Sequence, residues 1–340
     1  MKARYILISA LATVAMTQTS CEKVSPQGVL MAGTGVEDRV EMSELYYRQY
    51  LMDDVANDII VGDNDYTFLV GGDSHVTTDP GRMDEMFALG LDNDDLMYCH
   101  LGDIADTKAE YYIRLDSLLS EAKGRYVTKY YEQTDNGRFK RKDDPDDKFG
   151  FDYENIKFPF FPVVGNHDLT HNGWAMWSNI FHSSFYEFDV ILGYDENGEE
   201  IRDHFIFLDT ASGTLGKKQV DLIERGVLDG GNKYRNTFIF SHTNIFRPSS
   251  WQFASTFPRE ETYYLLKQFD EWNATIVFCG HVHAWDQRTY NNVYFMTLDS
   301  MSERNSPQPG DYLVRIKCKK NGDIDYEKVH MSYVAKDAKK

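Results

Sequence analysis

Basic residues are scarce in this chain. Lysine and arginine number 36 against 54 aspartates and glutamates, a formal net charge of −18 over 340 residues. That balance argues against a basic track for nucleic acid. It does not exclude a phosphate substrate, because bound cations outweigh a distant acidic surface at contact range. Cysteine is equally thin, with four in the whole chain. With Cys21 set aside, Cys99, Cys279 and Cys318 allow at most one disulfide, which excludes a disulfide-built scaffold. Cys99 and Cys279 end the apolar runs Leu96-Met97-Tyr98-Cys99 and Val277-Phe278-Cys279 and read as buried thiols. No internal repeat is visible. Beyond the N-terminus no apolar run is long enough to span a bilayer. What remains is 42% hydrophobic and 14% aromatic, the composition of a globular body and not of a disordered one.

The N-terminus reads as an export signal. Lys2 and Arg4 precede an apolar run from Ile6 to Met16, and Thr19-Ser20 leads directly into Cys21. This resembles a lipoprotein signal whose cysteine is acylated, with a departure at Gln18, where the pattern carries an apolar residue. Residues 1–20 are therefore expected to be a signal peptide. The protein is expected to be periplasmic or at the cell surface, touching a membrane only through a lipid on Cys21. Cleavage without lipidation is the alternative.

Residues 22–40, rich in glycine, serine and charge, read as a tether. Glu41 to Ile60 fits an amphipathic helix, with Leu45, Leu51, Val55 and Ile59 near one face. From about residue 65 the chain alternates. Strands are expected over 66–70, 96–101, 158–164, 205–208, 238–240 and 276–278, with helices over 82–91, 108–123, 215–227 and 259–269. Further strands over 293–298, 312–317 and 326–329 suggest a second sheet packed on the first. The body thus runs from 65 to about 335, an α/β (α+β) fold with no linker dividing it. The charged segment Gly124 to Asn155 interrupts it and reads as a surface insertion, either a solvated loop or a lid.

Five short motifs follow apolar runs in one order. They are Asp73-Ser74-His75, Gly102-Asp103-Ile104-Ala105-Asp106, Gly165-Asn166-His167-Asp168, Ser241-His242 and Gly280-His281-Val282-His283. Each is weak alone; the ordered set, each at a strand end, is not. It supplies seven oxygen and imidazole ligands for a pair of divalent metals: Asp73, His75, Asp103, Asn166, His242, His281 and His283. Asp73 and His75 lie two apart, so on an extended segment they face one side. Asp103 has two oxygens with which to bridge two ions. Asn166 offers a neutral oxygen that limits negative charge near a phosphate. His167 is left for proton transfer, with Asp106 suited to orient it. Asp168 reads equally well as a cap.

This ordered set resembles the calcineurin-like metallophosphoesterases, whose pattern is D-x-H, G-D-x-x-D, G-N-H-[DE], a lone His and G-H-x-H. The resemblance covers roughly residues 65 to 335. It implies a β-sandwich of two mixed sheets flanked by helices. It also implies one metal on Asp73, His75, Asp103 and His283 and a second on Asp103, Asn166, His242 and His281. Such a pair, Mn, Fe or Zn, makes hydroxide from a shared water at neutral pH and attacks phosphorus in line. Thr107 stands where the protein serine/threonine phosphatases carry arginine. Asp106 stands where purple acid phosphatases place a tyrosine ligand. The first branch and a charge-transfer iron–tyrosinate site are disfavoured; iron itself is not.

The expected function is hydrolysis of a phosphate mono- or diester of a small molecule, with no protein partner. Two residues are candidates for substrate contact: His171, after the Asn-His motif, and Arg247, after the lone His, whose planar fork suits a phosphate oxygen. Trp174, Trp177, Trp251 and Trp285 are either core or stacking residues, and His100 reads as core or as a support for a ligand. Two rivals stand beside the hydrolase: a noncatalytic module that binds a phosphorylated glycan or partner, and a nuclease, which would need the missing basic track.

Overall fold

The structure is a computed structural model. It describes residues 35–43, 58–62, 64–106, 108–144, 146, 150–228, 230–231, 233–246 and 257–334. In chain order the elements begin with a helix over 36–43 (α1), then β1 (Ile59–Ile60), β2 (Tyr66–Gly71), α2 (Gly81–Asp92), β3 (Tyr98–His100) and α3 (Ala109–Tyr130). A hairpin of β4 (Tyr131–Gln133) and β5 (Phe139–Arg141) follows, then β6 (Phe160–Pro162), α4 (Gly173–Phe181), β7 (Tyr186–Tyr194), β8 (Glu200–Phe207) and α5 (Gly216–Glu224). The chain continues through β9 (Asn236–Ser241), α6 (Arg259–Glu271), β10 (Ile276–Cys279), β11 (Asp286–Tyr290), β12 (Val293–Thr297), β13 (Gly310–Cys318) and β14 (Ile324–Met331).

Two mixed sheets carry the fold. One has seven strands in the order β1-β7-β8-β9-β10-β12-β11, and the other five in the order β14-β13-β2-β3-β6. Strands β8, β9, β10 and β12 run parallel, as do β2, β3 and β6. The sheets pack face to face through Phe68, Val70, Phe205, Phe207, Phe238, Phe240, Phe278 and Ile316, all fully buried. Their rings meet edge-on and stacked, as in Phe68 with Phe205 at 5.3 Å and Phe207 with Phe240 at 4.4 Å. The outer face of each sheet is covered by helices. Met83, Met86, Leu115 and Trp177 of α2, α3 and α4 close over the five-stranded sheet. Leu222, Leu265 and Phe269 of α5 and α6 close over the seven-stranded one. The result is two mixed sheets flanked by helices.

Several expectations are corrected. The stretch 41–60 is not one helix: helix begins at 36, and Ile59 and Ile60 pair in parallel with Val190 and Ile191 at the sheet edge. Residues 36–40 are not tether, because Val40 and Arg39 are fully buried. The helix expected to stop at Lys123 runs on to Tyr130, since Ala122 and Val127 continue its buried face. The charged insertion is therefore helix first and hairpin second. Lys123, Tyr126, Arg141 and Glu154 line a groove of about 1290 Å³ that no ligand candidate borders. The C-terminal strands do not form a sheet of their own. β12 joins β10, whereas β13 pairs antiparallel with β2. Strand β7 was not anticipated. Cys99, Cys279 and Cys318 are buried free thiols. Among the described residues no helix is long and apolar enough to cross a membrane.

Candidate metal centre

All five motifs begin at the C-terminal ends of parallel strands, but the strands belong to both sheets. Asp73, Asp103 and Asn166 follow β2, β3 and β6; His242 and His281 follow β9 and β10. The site therefore lies where the two sheets open together at one end of the sandwich. The first two loops are laced by backbone bonds. Asp73 N–H donates to Gly102 O (2.9 Å), His75 N–H to Asp103 O (3.0 Å), Val76 N–H to Ile104 O (2.8 Å) and Asp106 N–H to Val76 O (3.0 Å).

The spacing of two does not act through an extended pleat. Asp73, His75, Asp103, His281 and His283 all have positive φ, between 44° and 69°. Left-handed backbone in non-glycine residues costs on the order of 1 kcal/mol each and persists where surrounding bonds dictate it. The correction is geometric: left-handed turns, not strand alternation, bring the side chains of each triplet inward.

Beside the cluster His75, Asp106 and His167, two groups of candidate ligand atoms result. Asp73, His75, Asp103 and His283 each place an atom within 4.8 Å of the others, and so do Asp103, His242 and His281. Asn166 joins the second group, its Oδ1 2.8 Å from His242 Nε2. Asp103 is common to both. Its Oδ2 faces His75 Nε2 at 3.8 Å and His242 Nε2 at 3.6 Å. Its Oδ1 instead accepts the His167 N–H at 2.7 Å. Oδ2 thus faces an imidazole of each group, while Oδ1 takes a backbone amide on one of its lone pairs. Gly102 and Gly165 make this approach possible: a Cβ on Gly165 would lie 2.0 Å from Asp103 N.

These residues fit a pair of cations. Asp73 and Asp103 are buried, and among the described residues neither is paired with lysine or arginine. His75 Nε2 is buried with no hydrogen-bond partner. His242 Nδ1 lies 2.7 Å from the Leu101 carbonyl, so Nδ1–H donates there. In the neutral ring Nε2 is then a lone pair facing Asn166 Oδ1, an opposition of acceptors that a cation resolves. Burial raises Asp73, but the hydrogen bond from His283 and the neighbouring imidazoles hold it well below the usual carboxylate range. Asp103 is lowered likewise, imidazoles overcoming burial. Burial lowers His75 despite its two carboxylate neighbours, and burial with His242 lowers His281 to about 4. Neutral imidazoles are what a metal needs.

Supporting residues complete the frame. Asp168 is no cap on its own turn alone. It accepts Gly165 N–H (2.8 Å), Ile104 N–H (3.1 Å) and the Tyr112 hydroxyl (3.2 Å), tying the Asp103 and Asn166 loops together. Burial and the Asp103 charge push it up to about 7, against those donors. His100, fully buried, accepts Gly102 N–H on Nδ1 and donates from Nε2 to Ser74 Oγ, which donates to Ile104 O. Burial lowers it to about 3, so it is a neutral strut. Two supports escaped the sequence reading. Thr210 Oγ1 accepts His242 N–H at 2.9 Å, and Ser300 Oγ donates to Asp73 O at 2.8 Å. Both follow strand ends, after β8 and β12, which is the signal that could have found them.

At the mouth, the His167 side chain is 43% exposed and its ring lies edge-on to His75 at 4.7 Å. Asp106 Oδ1 is 3.8 Å from His167 Nδ1, adjacent but beyond hydrogen-bond length. His171 is exposed at a φ of 50° and no bond joins it to the ligand set. Arg247 and Trp251 lie outside the described residues. Trp174 and Trp177 are core residues, stacked at 5.5 Å, and Trp285 lies under Lys328 at 3.8 Å.

No family model matches the sequence, and no curated protein matches it significantly. Solved structures do. GAP50, the anchor in the inner membrane complex of Plasmodium, is 12% identical over 81% of this chain and 90% of its own, with a TM-score of 0.49. A dimetal phosphatase from Danio rerio is 12% identical over 79% and 99%, with a TM-score of 0.41. A purple acid phosphatase from yellow lupin seeds is 12% identical over 78% of this chain and 51% of its own, with a TM-score of 0.49. The chain combines two mixed sheets flanked by helices with ordered motifs, Asp73 to His283, that resemble those of the calcineurin-like metallophosphoesterases.

Proposed function

We propose that this protein hydrolyses phosphate esters of small molecules with a pair of divalent cations, Mn, Fe or Zn, and that it does so outside the cytoplasm. The observation that carries the reading is Asp103, common to two groups of candidate ligands with Oδ2 facing an imidazole of each, and His167 beside them at the mouth. When bound, two such cations supply a water-derived nucleophile and neutralise charge on the transferred phosphoryl group. Asp73, His75, Asp103 and His283 would hold one, and Asp103, Asn166, His242 and His281 the other. His167 turns Nδ1 toward Asp106 and leaves Nε2 to carry the proton for the leaving oxygen. For Asp106 to fix that tautomer, their separation must close by roughly 1 Å on substrate binding. Export is supported by Lys2, Arg4, the apolar run after them and Cys21.

The test uses the purified protein stripped of metal and reloaded with manganese, with initial rates on p-nitrophenyl phosphate and bis-p-nitrophenyl phosphate. Hydrolysis of one in preference to the other supports the reading and chooses between monoester and diester. His167→Ala is expected to lower turnover with both metals retained, and Asp103→Ala to lose metal and activity together. Two bound metals without hydrolysis of either ester would sink it.

A further inference from the structure

The loop after β12 carries a cation to the mouth of the site on a firmly held backbone. Met301 N–H donates to Gly72 O (3.0 Å) and Ser302 N–H to Asp73 O (3.1 Å). From the other side Arg82 of α2, 1% exposed, donates to the carbonyls of Met301 (3.4 Å) and Gln308 (2.6 Å). Its guanidinium lies 4.1 Å over the Tyr312 ring. Glu303 accepts the Arg82 N–H at 2.7 Å. Residues 301–308 are thus tied to the Asp73 loop at one end and to α2 at the other.

Arg304 projects from that held segment. Its side chain is 81% exposed, and Nη1 makes one long contact with Asp106 Oδ2, at 3.4 Å. A contact so exposed and so long is weak. It leaves most of the guanidinium's N–H donors to another anion. Asp106 in turn faces His167. Arg304 therefore stands on the Asp106 side of His167, the side chain placed on the leaving oxygen, so the guanidinium addresses the departing alcohol and not the transferred phosphoryl group.

We propose that Arg304 determines leaving-group specificity: the substrate carries a second anionic group, carboxylate or phosphate, on the alcohol side of the scissile ester. The proposal rests on the phosphoesterase reading and on the side given there to His167.

The experiment uses the manganese-loaded full chain. Calorimetry compares phenylphosphonate with 4-carboxyphenylphosphonate, and initial rates compare the corresponding phosphate esters. The carboxylated phosphonate is expected to bind about fivefold more tightly, the worth of one exposed ion pair. Arg304→Ala is expected to bring the two affinities together, Arg304→Lys to keep part of the preference, and Arg304→Glu to reverse it. Equal affinities in the unaltered protein, or a preference that survives Arg304→Ala, would overturn the assignment. A preference abolished by Arg304→Ala, with neither ester hydrolysed, keeps Arg304 as the contact for the second anion but removes the hydrolase reading and the leaving-group role with it. Hydrolysis without preference removes Arg304 alone.

Discussion

Arg39 and Asp209 form an ion pair with both side chains fully buried. Nε and Nη2 of Arg39 donate to the two Asp209 oxygens at 2.9 Å each, and Nη2 also donates to Ser212 Oγ at 3.1 Å. The Arg39 guanidinium lies 6.0 Å from the Trp174 ring. Removing one partner strands the other charge away from water, which costs about 3–5 kcal/mol. That is on the order of a third of a domain's stability. Asp209→Ala and Arg39→Ala are each expected to lose that much in urea unfolding of the metal-free protein. Arg39→Met combined with Asp209→Leu replaces both charges with apolar bulk and is expected to recover most of the loss. There is a second consequence, because Asp209 precedes Thr210, which holds the His242 amide. Asp209→Ala should therefore also weaken manganese binding, read by calorimetry. The reasoning fails if either single variant costs less than about 1 kcal/mol. It fails equally if the double variant loses the full sum of the two singles, since a coupled pair cannot be additive.

Gly165→Ala is expected to lose manganese affinity by more than tenfold, read by metal titration, because its Cβ meets the Asp103 amide at 2.0 Å and the backbone must part. Metal itself should stabilise the fold: at a free manganese concentration of 100 times the dissociation constant the gain is about 2.7 kcal/mol. A melting temperature unmoved by manganese or by chelator would contradict the site. His204 gives a pH signature far from the ligands. Burial would lower it, but hydrogen bonds to Asp189 (2.5 Å) and Glu187 (3.1 Å) outweigh burial and raise it. A raised folded value adds stability that is complete below the unfolded value, about 6.5. That stability is lost as pH rises through the folded value. Unfolding midpoints of the unaltered protein should fall across that window, and His204→Phe should flatten the slope.

Much of the sandwich was legible because its parallel strands are continuous apolar runs, as in Phe238-Ile239-Phe240 and Ile276-Val277-Phe278, fully covered on both faces. What misled was context. Strand β7 alternates: Phe188, Val190 and Leu192 face the other sheet, while Glu187 and Asp189 turn to His204. Its period of two is visible in the sequence, but charged residues interrupt the apolar run that marks the other strands. Ile59 and Ile60 fit a helical face equally well, and only the neighbouring strand β7 decides otherwise. Arg39 in a polar stretch signals solvent unless its partner is known, and that partner lies 170 residues away. Sheet membership of β12, β13 and β14 has no local signal at all. It is set by which edges β10 and β2 leave open.

The gathering of the motif residues was legible for a different reason. Metal coordination restricts residue type at several positions at once, and each position follows a strand whose end is fixed by the core. What could not be read was how a spacing of two works there. Left-handed backbone at Asp73, His75, Asp103, His281 and His283 is an unfavourable state held by the lacing of two loops and by Asp168, His100, Thr210 and Ser300. Of those supports, Thr210 and Ser300 are ordinary polar residues, individually silent in a sequence. Each sits three residues beyond a strand end, after β8 and β12. In a fold where the C-terminal ends of seven parallel strands converge, the residue just past any of them belongs to the site's frame, whether or not it could bind a metal. Thr210→Val tests this, since it keeps shape and removes the acceptor for the His242 amide. It is expected to weaken manganese binding by about tenfold or more, since two buried donors, the His242 and Thr243 amides, lose their acceptor. Unchanged affinity in that variant would mean that His242 is held by β9 alone.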